Sequence, residues 1–195
     1  GSSKLAHKWR AAERTEMEQL YDKGCLVAVR REDIPAGQKV IPGMMVYAAK
    51  GDADGMLRKF KARFVAKGFY QREGIDFIAT YAPVATYTSI KMIISTAAHL
   101  GLKAFQFDVE GAFLLPDIDV PLYISDEHGN CYLCYKTLYG LKQSANAWNR
   151  ELHNELIALG MTQSVIAPCV YTRLTKDGWI ILACWGEDIV GACTT

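Results

Sequence analysis

Asp108 ends an apolar run, Leu102, Ala104, Phe105 and Phe107, that reads as a buried strand. A carboxylate there is costly to desolvate unless it holds a metal or is paired. A second acidic pair, Glu187-Asp188, lies near the other end of the sequence. Carboxylates gathered from segments this far apart suit a two-metal site for phosphoryl transfer. The plainer reading is a strand-end aspartate that caps the next turn. The neighbouring segments favour the metal site. A cationic strand precedes Asp108, and a Leu-Tyr-Gly-Leu-Lys-Gln turn follows at 138–143.

The cationic strand covers 57–67. Under a two-residue period Lys59, Lys61, Arg63 and Lys67 share one face, while Phe60, Ala62, Phe64 and Ala66 share the other, Arg58 being the exception there. No carboxylate lies between Asp54 and Glu73. Such a stripe suits phosphate oxygens, of a nucleoside triphosphate or of a template backbone. An ordinary solvated sheet exterior is the alternative. Cys131 and Cys134 have metal-ligand spacing with His128 close by, but a zinc site wants a second pair, and on a strand the two thiols point to opposite faces.

The elements that must position these groups follow from periodicity and punctuation. Residues 5–20 carry an amphipathic helical pattern ended by Gly24, and 25–29, 44–50 and 57–67 read as strands. The loop Gly51–Gly55 joins the last two as a hairpin. A helix capped by Thr88 or Ser89 presents Ile90, Ile93, Ile94, Ala97 and Ala98, and Gly101 stops it. After the Asp108 strand come strands at 121–124 and 131–138. Ser144 then caps a helix whose buried face is Trp148, Leu152, Leu156 and Leu159. Strands 169–174 and 179–184 meet across a turn at 176–178, and Trp185–Asp188 turns into a last strand. The order predicts an α+β fold, with helices on one face of an antiparallel sheet.

Composition sets the bounds. Half of the 195 residues are hydrophobic, enough for a sizeable core and against bulk disorder. A formal net charge of +1 argues against a protein that coats nucleic acid indiscriminately, and leaves room for a local basic surface. No apolar run is long enough for a membrane span, and no signal-peptide layout appears. The expectation is therefore no membrane partner. The six cysteines sit mostly in apolar stretches, which suits reduced thiols in an intracellular protein, cytoplasmic or nuclear. Gly1-Ser2-Ser3 reads as a tag remnant.

The ordered motifs resemble the reverse transcriptase (RNA-dependent DNA polymerase) of copia-type retrotransposons. They are Lys61-Ala-Arg-Phe-Val-Ala-Lys-Gly-Phe69, Gly74-Ile-Asp-Phe77, Tyr81-Ala-Pro-Val84, Phe107-Asp-Val-Glu-Gly-Ala-Phe-Leu114, Leu138-Tyr-Gly-Leu-Lys-Gln-Ser144 and Pro168-Cys-Val-Tyr171. An N-terminal Trp9, Glu13, Glu16, Leu20 pattern also fits, so nearly the whole sequence is covered. The resemblance implies fingers over 4–86 and palm over 87–195, with an approximate, interleaved boundary and a ferredoxin-like palm sheet. The family's thumb and RNase H would lie downstream.

By the same resemblance, Asp108, Glu187 and Asp188 would be catalytic and would hold Mg²⁺ or Mn²⁺. Lys61 and Arg63 would hold the incoming triphosphate, Phe113 would exclude a ribose 2′-hydroxyl, and Gln143 would contact the nucleotide. Lys59, Lys67 and Arg72 would meet nucleic acid. The implied partners are an RNA or DNA template-primer and a deoxynucleoside triphosphate, with self-association or a thumb supplied in trans. Trp185-Gly186-Glu187-Asp188 stands where the family has Tyr-Val-Asp-Asp, so the middle carboxylate is carried one methylene further from the backbone. A displacement near 1 Å costs on the order of a hundredfold in rate. Ala79 and Ala167 stand in place of acids, and Ala145 in place of proline. Two readings follow: a polymerase domain with weak or lost activity, or a domesticated, non-catalytic nucleic-acid-binding or protein-assembly module on the same fold.

Overall fold

A computed structural model describes residues 5–51, 56–176 and 178–194. The proposed tag residues 1–3, positions 52–55 of the expected hairpin loop and Asp177 of the expected turn lie outside the described residues. The chain forms two compact units, each built from two segments: 1–80 with 113–144, and 81–112 with 145–195.

The first unit carries helix α1 (Ala6–Asp22) and strands β1 (Leu26–Val29), β2 (Val40–Gly51), β3 (Leu57–Ala66), β5 (Asp117–Ser125) and β6 (Cys131–Lys136). Its sheet has the order β1-β6-β5-β2-β3. Only the β2–β5 pair is parallel. The two-residue period predicted for β3 holds: Ala62, Phe64 and Ala66 are buried, and Lys59 is exposed. Phe64 joins Leu20, Leu26, Ile41, Ile124 and Leu138 in the core.

β3 is an edge strand, and its outward amides need partners. Glu16 of α1 accepts from the Phe64 amide at 3.0 Å, and the Tyr139 carbonyl accepts from the Ala66 amide at 2.8 Å. The N-terminal motif thereby gains a physical reason. Trp9 packs edge-on against Phe60 with centroids 4.5 Å apart, Glu13 accepts from the Tyr47 hydroxyl at 2.6 Å, and Glu16 closes the sheet edge.

The second unit carries α2 (Tyr87–Leu100), β4 (Lys103–Asp108), α3 (Ser144–Ala158, its first residue lying at the boundary), β7 (Thr162–Gln163), β8 (Val170–Thr175), β9 (Gly178–Trp185) and β10 (Asp188–Cys193). Its sheet runs β4-β10-β9-β8-β7 and is antiparallel throughout. Ile93 and Ala97 of α2 pack on Val170, Ala183 and Ala192. The architecture is α+β, as expected.

Several local expectations need correction. The cap of α2 is Thr86, whose hydroxyl accepts from the Ser89 amide at 3.1 Å, not Thr88 or Ser89. Ile94 and Ala98 are exposed, because a single seam of α2 meets the sheet. Ser144 opens α3, but its hydroxyl donates to the Leu138 carbonyl at 2.6 Å. Leu159 continues the period of the buried Trp148, Leu152 and Leu156 but lies past the end of α3, and is 60% exposed. The two-residue strand β7 was too short to register as a pattern.

Candidate active site

In the second unit Asp108 and Asp188 are direct cross-strand partners on β4 and β10. The neighbouring Val109 amide donates to the Glu187 carbonyl at 3.0 Å. The 109–187 pair is therefore hydrogen-bonded and the 108–188 pair is not, the position at which facing side chains approach most closely. Gln106, two residues back on the same face, donates to Asp188 Oδ1 at 3.3 Å. Asp108 is exposed rather than buried, as is Phe107 at 57%. The expected buried strand is thus corrected. β4 is an edge strand, so its apolar residues do not imply enclosure on both sides.

Glu187 lies in the two-residue turn between β9 and β10, flanked by the paired Trp185 and Asp188. Gly186 has φ +60° and, among the described residues, no non-glycine residue has positive φ, which selects a type II′ hairpin with glycine first. Trp148 of α3 donates its indole N–H to the Gly186 carbonyl at 2.8 Å and fixes the turn from outside. From sequence Trp148 read only as core.

The three carboxylates are hard oxygen donors of the kind that bind Mg²⁺ or Mn²⁺. Asp108 and Asp188 fit a shared cation, since facing like charges otherwise repel. Among the described residues, no three His, Cys, Asp or Glu side chains converge as a metal site. The same holds for His128, Cys131 and Cys134. Both thiols are buried and donate to carbonyls, of Gly129 and Lys136 respectively.

In the first unit the expected nucleotide residues form two groups. Arg63 lies over the Tyr139 ring with its guanidinium carbon 5.3 Å from the centroid, and Phe113 meets the same ring edge-on at 6.4 Å. Tyr139 thus joins two residues that sequence reasoning had linked only by resemblance. Its position just before the glycine of the 138–143 turn was the available signal. Arg63 Nε is buried without a hydrogen-bond partner. Lys61 is half-buried and Lys67 follows at the end of the strand.

Gln143 belongs to the other group and is buried. It accepts from Gln71 Nε2 at 2.8 Å and donates to the Asp76 carbonyl at 3.3 Å, so its amide braces the 71–77 loop. Arg72 is committed to Asp76, through its backbone amide at 2.7 Å and its guanidinium at 3.1 and 3.2 Å. Burial pushes the Asp76 carboxyl up, but the Arg72 hydrogen bonds outweigh it and hold the group below its ordinary range.

The second unit thus presents an antiparallel sheet that faces two aspartates across adjacent strands beside an acidic hairpin. The chain belongs to the reverse transcriptase (RNA-dependent DNA polymerase) family, whose sequence profile matches residues 28–194. It is 35% identical over 185 residues to the Retrovirus-related Pol polyprotein from transposon TNT 1-94 of Nicotiana tabacum, covering 90% of this chain and 14% of that protein. It is 32% identical over 164 residues to the Pol polyprotein from transposon RE1 of Arabidopsis thaliana, covering 80% of this chain and 11% of that protein. A solved structure of the foamy viral protease-reverse transcriptase in complex with double-stranded DNA aligns at 12% identity with TM-score 0.48, over 96% of this chain and 26% of that one. The chain therefore spans about a seventh or less of the two plant polyproteins. Among the described residues, no helix is long and apolar enough to cross a membrane.

Proposed function

We propose that the second unit is the palm of a template-directed polymerase and transfers a nucleotide to a primer 3′-hydroxyl. On this reading the first unit is the fingers and holds the incoming deoxynucleoside triphosphate and an RNA or DNA template. The observation that carries the proposal is the facing of Asp108 and Asp188 at the closest-approach position of β4 and β10.

Asp108 and Asp188 would hold Mg²⁺ or Mn²⁺, with Glu187 reaching in from its turn. The bound ions supply activation of the hydroxyl and neutralisation of the leaving pyrophosphate. Arg63, braced by Tyr139, orients the triphosphate by charge and by a planar fork of donors. Phe113, set against the same tyrosine, bounds the sugar. Gln143 acts through the loop it braces.

A second reading is favoured by the acids themselves. Glu187 stands where the family has aspartate, as suits a binding module that has lost catalysis.

Primer extension on poly-rA and on a DNA template separates the two readings, with Mg²⁺ and Mn²⁺ in turn. Extension that vanishes in Asp108→Ala and rises in Glu187→Asp supports the polymerase. No extension in any variant, with template binding unchanged by Asp108→Ala, leaves the binding module.

A further inference from the structure

We propose that a cleft of the first unit, lined by α1, the sheet and the turn after β5, binds a small amphipathic anion with one acidic head on an apolar body. The cleft holds about 630 Å³, a volume suited to a small molecule. It shares no residue with the proposed polymerase site, so the two stand or fall separately.

The apolar lining is a surface of the core itself. Phe64 of β3 and Tyr132 of β6 are buried and meet edge-on, with ring centroids 6.0 Å apart. Met17 of α1 and Met45 of β2 are partly buried and pack against the same cluster. Methionine is unbranched and polarisable, so this lining adapts to apolar bodies of differing shape.

The polar lining selects the charge. Arg10, Glu13, Arg14 and Met17 lie three and four residues apart, on one face of α1. Glu13 is engaged, accepting from the Tyr47 hydroxyl at 2.6 Å. Asp126, in the turn after β5, is engaged by the His128 and Asn130 amides at 2.9 Å and the Tyr132 hydroxyl at 3.1 Å. Among the described residues neither Arg10 nor Arg14 enters an ion pair. Like charges four residues apart on a helix repel, and an anion seated on both relieves that repulsion. Their planar forks of donors match the oxygens of a carboxylate, a sulfonate or a phosphate.

The same lining excludes other occupants. A nucleic-acid strand would bring further phosphates into a cleft that also holds Glu13, Asp126 and Glu127. A cation would meet the two arginines, and an uncharged apolar molecule would leave both unpaired. A single head on an apolar body satisfies both kinds of lining.

The test is fluorescence titration of the whole chain with 1-anilinonaphthalene-8-sulfonate and with its uncharged relative N-phenyl-1-naphthylamine. Decanoate and decyl phosphate should each displace the sulfonate, and the tighter competitor identifies the natural head. Arg10→Gln combined with Arg14→Gln should weaken the sulfonate by on the order of tenfold and leave the uncharged probe within about twofold. Met45→Trp, which fills the cleft, should abolish binding of both probes. Equal weakening of the two probes in the arginine variant, or unchanged sulfonate binding with its melting curve intact, overturns the proposal. Unchanged binding in a folded Met45→Trp protein overturns it as well. Both arginines are exposed, so their exchange decides the matter even where Met45→Trp fails to fold.

Discussion

Asp108 and Asp188 face each other across β4 and β10 at a position where no ladder hydrogen bond separates their side chains. Directly opposed like charges cost a sheet roughly 0.2–1 kcal/mol. Asp108→Asn should therefore raise the melting temperature slightly in EDTA. Millimolar Mn²⁺ should stabilise the parent protein and leave Asp108→Asn unmoved. Melting curves with and without the ion check both, and equal stabilisation of the two proteins would remove the cation from the pair.

The Gly186 turn offers a second measurement. Its φ of +60° is open to glycine and costs an L-residue about 1–2 kcal/mol, more for a β-branched one. Gly186→Val, which restores the family residue, should lower stability by at least that amount in urea unfolding. An unchanged midpoint would show that the turn reorganises freely.

Gly140 is held by both conformation and space. Its φ is +85°, and an added Cβ would meet the Ala66 carbonyl oxygen and the Val65 side chain. Strain and overpacking together place the cost of Gly140→Ala at about 3 kcal/mol. Because the same turn braces the end of β3 through the Tyr139 carbonyl, exchange of the Ala66 amide should accelerate in the variant.

Glu16 is 6% exposed, and burial raises its carboxyl above the ordinary value against the Phe64 amide and the Arg63 and Lys61 charges. A raised folded-state pKa means that its stabilising contribution is complete below the unfolded value near 4.5 and is lost as pH rises through the folded value. Glu16→Gln should consequently be more stable than the parent at pH 7 and less sensitive to pH between 4.5 and 7. Denaturation midpoints across that range decide it, and a destabilised variant at pH 7 would mean that the ionised carboxylate is worth more than its burial costs.

How much of this was legible in the sequence depended on the distance over which each cause acts. The alternation along β3 is local and strong, so its buried and cationic faces were readable from 57–67 alone. The burial of β4 depends on which strand ends at the sheet edge, and the apolar run at 102–107 is silent on that. Leu159 follows the helical period of α3 but falls beyond its last turn, a boundary that periodicity does not resolve. Asp108, Glu187 and Asp188 were identifiable by type and order, and the Asp108–Asp188 pairing needed the register. Tyr139 escaped notice because its partners, Arg63 and Phe113, are distant in sequence.

The segmented make-up of the first unit also bears on how the chain is born. Among the described residues β1 has β6 as its sole ladder partner, and β2 meets β5 only after the chain has left to build α2 and β4. A ribosome must therefore release the chain to about Lys136 before that sheet can close, several seconds after β1 emerges at roughly 5–20 residues per second. During that interval β1 and one edge of β2 wait unpaired, exposed to neighbouring nascent chains. A chain cut anywhere before β6 inherits that condition permanently, so truncation should yield aggregates rather than a smaller folded domain.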